Sequence, residues 1–155
     1  LVTLDEDTKA IARDAAKNES ENIIDLRGRR ILIAEDNRTN RFLIEKYLKP
    51  SGLDVHFAID GEEAVKQRQR LKPDIILMDV SMPRKDGLQA TRDIRQWEQD
   101  AKLDAIPIIA LTANAFEEDR KACLAAGMDA FLTKPVSRTG VLEKISGTIS
   151  AQKKA

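Results

Sequence analysis

The sequence predicts an α/β fold in which a parallel sheet of five strands has helices on both faces. From residue 29 onward, short apolar runs alternate with amphipathic stretches. The runs are mostly continuous and rich in β-branched residues, a pattern typical of strands that are buried on both faces. An amphipathic stretch follows every run, and this strict alternation of strand and helix is typical of a parallel sheet.

Five apolar runs are the predicted strands. Each is too short for a helix, and turn residues or charged residues bound it. The second is the weakest, because a histidine interrupts it. The runs are Ile31–Ala34, Val55–Ile59, Ile75–Met78, Ile106–Leu111 and Ala130–Leu132.

The five predicted helices are recognised by apolar residues that share one face. Pro50 and Gly52 end the first helix, Asp60 caps the start of the second with Glu63 in its first turn, and Gly127 ends the fourth. In chain order, the apolar residues of the helices are Leu43, Ile44, Tyr47 and Leu48; Ala64, Val65 and Leu71; Leu88, Ile94 and Trp97; Phe116, Cys123 and Ala126; and Val141, Leu142, Ile145 and Ile149.

The first 28 residues differ from the rest of the chain, since they are highly charged and contain neither proline nor an aromatic residue. We expect a linker or one helix packed on the domain; the alternative is the end of a coiled coil from an upstream domain. Residues 29–150 form the predicted domain and 151–155 a tail. Because the chain starts at Leu1, we expect it to be a fragment of a longer protein.

Composition excludes several classes of function. The 26 basic and 26 acidic residues balance, whereas a protein that binds a nucleic acid backbone normally has a basic excess. One cysteine and one histidine cannot build a structural zinc site or an internal disulfide, and the scarcity of cysteine fits a reducing compartment. Neither a signal peptide nor an apolar run long enough to span a membrane is evident.

Polar residues follow four of the five predicted strands. Glu35 and Asp36 follow the first, Asp79 the third, Thr112 and Ala113 the fourth, and Lys134 the fifth. In an open parallel sheet, ligands bind beyond the carboxyl ends of the strands. The sequence therefore predicts one site that contains three carboxylates, a hydroxyl and an ammonium group.

This set of groups suits phosphoryl transfer to a carboxylate. Clustered carboxylates are costly unless cations neutralise them, and Mg²⁺ prefers carboxylate, carbonyl and water oxygens. Asp79 at the end of its strand could act as the nucleophile, with Lys134, Thr112 and the metal offsetting charge on the phosphoryl oxygens. A site with Asp36, Asp79 and a backbone carbonyl would suit Mg²⁺, and Mn²⁺ is the alternative metal.

Residues 29–150 resemble the receiver domain of two-component response regulators, most closely the receivers of hybrid sensor histidine kinases. The resemblance is carried by ILIAEDNRTN, IILMDVSMPRKDGLQATRDIR and IPIIALTANAFEEDRKACLAAGMDAFLTKP. It implies the flavodoxin-like (βα)5 three-layer sandwich, with a parallel sheet in strand order 2-1-3-4-5. It also implies a phosphorelay function: a magnesium-dependent domain that takes a phosphoryl group from phosphohistidine and switches conformation.

The resemblance also implies a role for each matching residue. Asp79 is the phosphoacceptor, and Thr112 and Lys134 bind the phosphoryl group together with Ala113. Asp36 and the Ser81 carbonyl join Asp79 as metal ligands, with Glu35 acting largely through water. The remaining implied roles are Phe131 as the aromatic switch, Ser81 and Asn114 as residues that tune hydrolysis, and a cis peptide bond between Lys134 and Pro135.

The implied partners are a histidine kinase core, in the same or another chain, and a histidine phosphotransfer protein. The resemblance implies a cytoplasmic, monomeric or weakly dimeric domain that catalyses its own phosphorylation and dephosphorylation and contacts neither nucleic acid nor membrane. Its parent would be a protein-histidine kinase that a membrane could anchor.

Three other functions remain open at this stage. A phosphorylation-independent adaptor would be expected to lack Asp79 or Lys134, and both are present. A phosphatase of the haloacid dehalogenase type would carry its nucleophile after the first strand and have a cap insertion. A flavodoxin-like cofactor binder would need a phosphate loop where Glu35 and Asp36 stand.

Overall fold

A computed structural model describes residues 24–114 and 116–153 of the chain. Within these ranges, five strands alternate with five α-helices. In chain order they are β1 (Arg30–Ala34), α1 (Arg38–Leu48), β2 (Asp54–Ala58), α2 (Gly61–Leu71), β3 (Ile75–Asp79), α3 (Gly87–Asp100), β4 (Ile108–Thr112), α4 (Glu117–Ala126), β5 (Ala130–Thr133) and α5 (Arg138–Lys153). A 3₁₀ turn at Lys49–Ser51 follows α1.

The strands form one parallel sheet in the order β2-β1-β3-β4-β5, which confirms the predicted fold and strand order. The register pairs Ala34 with Met78 and Asp79 with Leu111. The carboxyl ends of β1, β3 and β4 therefore meet at one edge of the sheet.

Alternate residues of the central strands enter two separate cores, because successive side chains of a strand point to opposite faces. One core joins Ile31, Ile33 and Leu77 to α1 and α5. The other joins Leu32 and Met78 to α2, α3 and α4. The result is three layers, with the sheet in the middle.

Helix boundaries follow the predicted caps. The Asp60 side chain accepts a hydrogen bond from the Glu63 amide at the start of α2. Gly127 ends α4 with a left-handed φ of 110°, a conformation that favours glycine. Among the described residues, no helix has the length and apolar character needed to cross a membrane.

The structure differs from the sequence prediction at a few points. Phe116, expected on the buried face of the fourth helix, instead precedes α4 at its N-cap and is 69% exposed. The second strand ends at Ala58, which leaves Ile59 outside it and 44% exposed. The fourth strand begins at Ile108 rather than Ile106.

The predicted domain boundaries are also shifted at both ends. Leu26 is buried in the core and its backbone N–H donates to the Ser51 carbonyl, so contacts with the domain begin before residue 29. Helix α5 continues to Lys153, past the predicted end of the domain at residue 150. Residues 1–23 of the predicted linker or helix and residues 154–155 of the predicted tail lie outside the described residues.

Candidate phosphoacceptor site

The acidic residues predicted from the sequence do come together. One carboxylate oxygen from each of Glu35, Asp36 and Asp79 lies within 4.8 Å of the other two. Glu35 and Asp79 are buried, whereas Asp36 is exposed. Two buried carboxylates and one exposed carboxylate thus face one point at the sheet edge, which solvent reaches from the Asp36 side.

Lys134 connects the acidic cluster to the end of β5. Its Nζ donates a hydrogen bond of 2.9 Å to Asp79 Oδ2 and lies 3.2 Å from Glu35 Oε2. The other Asp79 oxygen, Oδ1, accepts a hydrogen bond of 3.1 Å from the Ser81 N–H. Both oxygens of the proposed nucleophile are therefore held in place by donors.

Glu35 is held by α1, an interaction that the sequence did not predict. Glu35 Oε1 accepts hydrogen bonds from the Asn40 side chain at 3.0 Å and from the Asn37 N–H at 3.2 Å. Asn40 lies one helical turn after Asn37, the N-cap of α1, and no local sequence pattern identifies its contact with Glu35.

The donor atoms of the site fit a hard divalent cation. Glu35 Oε2 is buried and receives no hydrogen bond from the described residues, although the Lys134 ammonium lies 3.2 Å away. A buried carboxylate oxygen without a hydrogen bond is unfavourable, and a cation would satisfy it. Mg²⁺ binds one or two carboxylates and keeps several waters, which agrees with an exposed Asp36 beside two buried acids.

The electrostatic environment shifts the pKa values of the two buried acids, Glu35 and Asp79, in opposite directions. Burial, reinforced by the neighbouring Glu35, raises the pKa of Asp79 to about 6. Burial also acts to raise the pKa of Glu35, but its interaction with the neighbouring Asp79, the hydrogen bond from Asn40 and the charge of Lys134 outweigh this and lower it. Of the two acids, Asp79 is therefore the one that binds a proton first as the pH falls, and a cation in the cluster would favour its ionised form.

Lys134 stays charged in this environment. Burial alone would lower the pKa of its ammonium group, but the hydrogen bond to Asp79 and the charges of Asp79 and Glu35 raise it. A permanent positive charge beside Asp79 is the property that a developing phosphoryl charge requires.

Thr112 lies at the sheet edge, but its hydroxyl is engaged elsewhere. It donates to the Asn114 carbonyl at 2.9 Å and accepts from the Asn114 N–H at 3.1 Å. Ala113 and Asn114 are exposed, as is Ser81 on the other side of the site. The Thr112 side chain would have to rotate to bind a phosphoryl group on Asp79.

Phe131 is half-buried and packs against the core below α4. The Arg120 guanidinium of α4 lies over its ring, 4.3 Å from the centroid. The sequence does not predict this role of Arg120, and the contact links Phe131, the predicted switch residue, to a helix outside the acidic cluster. The peptide bond between Lys134 and Pro135 is cis, as the resemblance implies.

Comparison with known proteins gives a consistent picture. Residues 31–146 match the family model of the response regulator receiver domain. The chain is 40% identical over 122 residues to the sensor histidine kinase GacS of Pseudomonas protegens, a match that covers 79% of this chain and 13% of GacS. The chain therefore spans a small part of the length of that relative.

Two solved structures are similar in sequence and in fold. The first is the receiver domain of the sensor histidine kinase PA1611 from Pseudomonas aeruginosa, which has a magnesium ion coordinated in its active site cleft. It is 42% identical with a TM-score of 0.71, and the match covers 79% of this chain and 98% of that one.

The second is the receiver domain of the Saccharomyces cerevisiae response regulator Ssk1, in complex with the histidine phosphotransfer protein Ypd1. It is 29% identical with a TM-score of 0.74, and the match covers 80% of this chain and 90% of that one.

Proposed function

This chain belongs to the response regulator receiver family, and from that premise we propose that Asp79 accepts a phosphoryl group from phosphohistidine. It is a receiver domain of phosphorelay signal transduction, similar to those of hybrid sensor histidine kinases. The proposal rests on the Asp79 carboxylate, which accepts hydrogen bonds from Lys134 and from the Ser81 N–H. It lies beside the carboxylates of Glu35 and Asp36.

The proposed reaction is an in-line displacement at phosphorus. A carboxylate oxygen of Asp79 forms a bond to phosphorus while the bond from phosphorus to the donor imidazole nitrogen breaks, and the electron pair of that bond goes to the nitrogen, so that the imidazole leaves as the neutral base with the proton already on its other ring nitrogen. Lys134 already contacts Asp79 and can move its hydrogen bond to a phosphoryl oxygen. The Thr112 hydroxyl, together with the adjacent Ala113 backbone, would bind a second phosphoryl oxygen.

We propose Asp36, Asp79 and the Ser81 carbonyl as ligands of Mg²⁺, or alternatively Mn²⁺, with Glu35 acting through water. A bound divalent cation supplies positive charge opposite the phosphoryl oxygens. The chain's own contribution is to hold the ligands in place: Asn40 fixes Glu35, and strand pairing fixes Asp79. Ser81 and Asn114 are the exposed residues proposed to tune hydrolysis.

For the partners, we propose a histidine kinase core and a histidine phosphotransfer protein, with the parent chain a hybrid sensor kinase in the cytoplasm. The Ssk1 complex supports this, because a similar domain binds a phosphotransfer protein. Phe42 on α1 is 64% exposed. A separate cavity of about 320 Å³, lined by Leu43, Lys134 and Pro135, opens next to the acidic cluster. A donor that reaches Asp79 would contact this surface.

The test of the phosphoacceptor is chemical phosphorylation. Incubation with phosphoramidate and Mg²⁺ is expected to add one base-labile phosphoryl group, measured by intact mass. Asp79→Asn is expected to abolish labelling, because an amide is not a nucleophile. Asp86→Asn is the matched control, since Asp86 caps α3 through an oxygen that asparagine retains. Full labelling of Asp79→Asn would contradict the assignment. Absence of labelling in the wild-type protein would favour the phosphorylation-independent adaptor.

The test of the metal uses Asp36, which is exposed and thus replaceable without disturbing the core. Asp36→Ala is expected to weaken Mg²⁺ binding at least ~10-fold and to slow phosphorylation, because it removes a direct ligand. Calorimetric titration of Mg²⁺ measures the first effect and mass spectrometry the second. Phosphorylation of the wild type at an undiminished rate in EDTA would show that the metal role is wrong.

A further inference from the structure

We propose that Asp60 and Arg84 are positioning residues for the phosphoacceptor site, because they fix the tip of the loop that joins β3 to α3. The inference rests on the proposed function of Asp79. The loop comprises residues 80–86, and Ser81, near its start, touches the Asp79 carboxylate. Neither Asp60 nor Arg84 belongs to the acidic cluster.

The base of the loop is closed tightly against the end of β3. Val80 N–H donates to the Leu111 carbonyl at 3.0 Å, and Gly87 N–H donates to the Val80 carbonyl at 2.9 Å. A Cβ at Gly87 would lie 2.1 Å from the Asp79 carbonyl oxygen, so glycine is required there. The two ends of the loop are therefore fixed close to Asp79.

The tip of the loop is held by a different element, the start of α2. Arg84 Nη1 donates to Asp60 Oδ2 at 2.8 Å, and the Lys85 carbonyl accepts from the Gly61 N–H at 3.0 Å. A Cβ at Gly61 would lie 2.1 Å from that carbonyl oxygen. The tip thus rests directly on the helix backbone.

The backbone at Arg84 indicates that these contacts determine the loop conformation. Arg84 has a φ of 64°, in the left-handed region that is unfavourable for residues with a side chain. A non-glycine residue retains this conformation only where its surroundings enforce it. The contact that the Arg84 side chain itself makes is the one with Asp60.

Asp60 is suited to act as an anchor. Its side chain is only 7% exposed, and Oδ1 caps α2 by accepting from the Glu63 N–H at 2.8 Å. Oδ2 is left for Arg84. A buried carboxylate fixed by a helix gives the loop a reference point that does not depend on the acidic cluster.

Ser81 transmits the effect to the site. Its N–H binds Asp79, and its carbonyl is the proposed metal ligand. Asp79 itself is held in the sheet by pairing with Leu111. Loss of the Asp60–Arg84 contact would therefore let the Ser81 backbone move relative to Asp79, and the metal site would become less well formed while the fold persists.

Charge and positioning predict opposite results for one variant. Arg84→Ala removes a positive charge, which by Coulomb's law alone would strengthen binding of a cation nearby. If Arg84 positions the loop, the same change weakens binding. Alanine keeps a Cβ, so the cost of the left-handed backbone is unchanged.

The experiment is a calorimetric titration of Mg²⁺, together with the NMR shift of the Ser81 amide in metal-free protein. Arg84→Ala is expected to weaken Mg²⁺ binding about 10-fold, as loss of outer-shell partners does, and to shift the Ser81 amide. Arg84→Lys is expected to restore most of the affinity. Arg92→Ala is the control, since it removes the same charge from an exposed position on α3. Asp60→Asn keeps the helix cap, because asparagine retains Oδ1, and it removes the negative charge that pairs with Arg84.

The proposal is overturned if Arg84→Ala binds Mg²⁺ as tightly as the wild type, or more tightly, with the Ser81 amide unmoved. It is also overturned if Arg92→Ala weakens binding equally. Failure of the proposed function would appear differently, as absence of phosphorylation in the wild type. Mg²⁺ affinity and the Ser81 shift would still report on the loop.

Discussion

The surroundings of the Asp79 carboxyl have opposing effects on its pKa. The Lys134 ammonium and the Ser81 N–H favour its charged form, whereas burial and Glu35 oppose it. The balance leaves its pKa near 6, above the ordinary value of 3.8. At pH 7 Asp79 is therefore mostly ionised, and a cation in the cluster would favour the ionised form further, which couples metal binding to readiness for phosphorylation.

This pKa shift has a consequence for stability. Because the folded-state pKa of Asp79 is raised, its contribution is favourable at low pH and is lost as the pH rises through about 6. Asp79→Asn removes the charge, so at pH 7 without metal it is expected to raise the free energy of unfolding by ~1–3 kcal/mol. The gain should disappear below pH 4. Urea unfolding at both pH values in EDTA measures it, and a less stable variant at pH 7 would contradict the assignment.

At the scale of the single residue, the sequence was most informative where a strand ends. Asp79, Thr112 and Lys134 could be placed because apolar runs mark strands and the residue after each run must lie at one edge. Phe116 was misplaced because an apolar residue before a helix looks like part of its buried face. Asn40 was missed because its role depends on the rotation of α1 relative to β1.

Helices α2 and α3 are joined by a buried ionic network. Glu98 is 2% exposed; its Oε2 accepts from Arg68 at 2.9 Å and its Oε1 from Arg95 at 2.7 Å. Arg68 also lies over the Trp97 ring, 5.0 Å from its centroid. Arg95 donates in addition to the Gly127 carbonyl, which fixes the end of α4 to α3.

Removal of Glu98 is expected to destabilise the domain strongly. Glu98→Ala leaves the buried Arg68 without its acidic partner, whereas Arg95 keeps its ion pair with Asp129, and loss of one partner of a buried pair typically costs ~3–5 kcal/mol. Glu118→Ala on exposed α4 is the control, with an expected change within ~0.5 kcal/mol. Chemical denaturation followed by Trp97 fluorescence measures both. Equal stability of the two variants would show that the network contributes nothing.

These inter-element contacts mark the limit of prediction from sequence. Periodicity identified α2 and α3, but Arg68 and Glu98 are 30 residues apart, and Asp60 and Arg84 are 24 apart. Whether such charges meet depends on how each helix is rotated and shifted on the sheet, which no local pattern records. The central strands β1, β3 and β4 were predictable because both of their faces are buried, and that leaves a continuous apolar run.

Across the whole molecule, the site and the surface of α4 are connected through two residues. Thr112 ends β4 and currently binds Asn114, and Phe131 lies in the neighbouring strand under Arg120 of α4. A phosphoryl group on Asp79 would compete for the Thr112 hydroxyl. Rotation of Thr112 would vacate space below α4, into which Phe131 could turn, since its ring loses no hydrogen bond on burial.

The energies are compatible with such a switch. Moving a population from mostly one state to mostly the other takes ~5 kcal/mol. Charge-assisted hydrogen bonds from Thr112 and Lys134 to the phosphoryl group could each contribute ~1.5–3 kcal/mol. The cation–π contact of Arg120 with Phe131 has the opposite effect, with an interaction energy of ~0.5–2 kcal/mol. If Phe131 turns away from Arg120 on phosphorylation, loss of that contact would favour the unphosphorylated state.

We accordingly expect phosphorylation to remodel the surface formed by α4, β5 and α5. Two packings of Phe131 form a bistable element, and a phosphoryl group shifts their populations only through contacts that differ between them. An NMR shift map with and without beryllofluoride, a phosphoryl mimic, should show large changes between Asn114 and Ala126 and at Phe131. Arg120→Ala should produce a smaller shift in the same direction without the mimic, because it removes the opposing contact. Changes confined to residues that touch Asp79, with Phe131 silent, would show that this receiver signals through another surface.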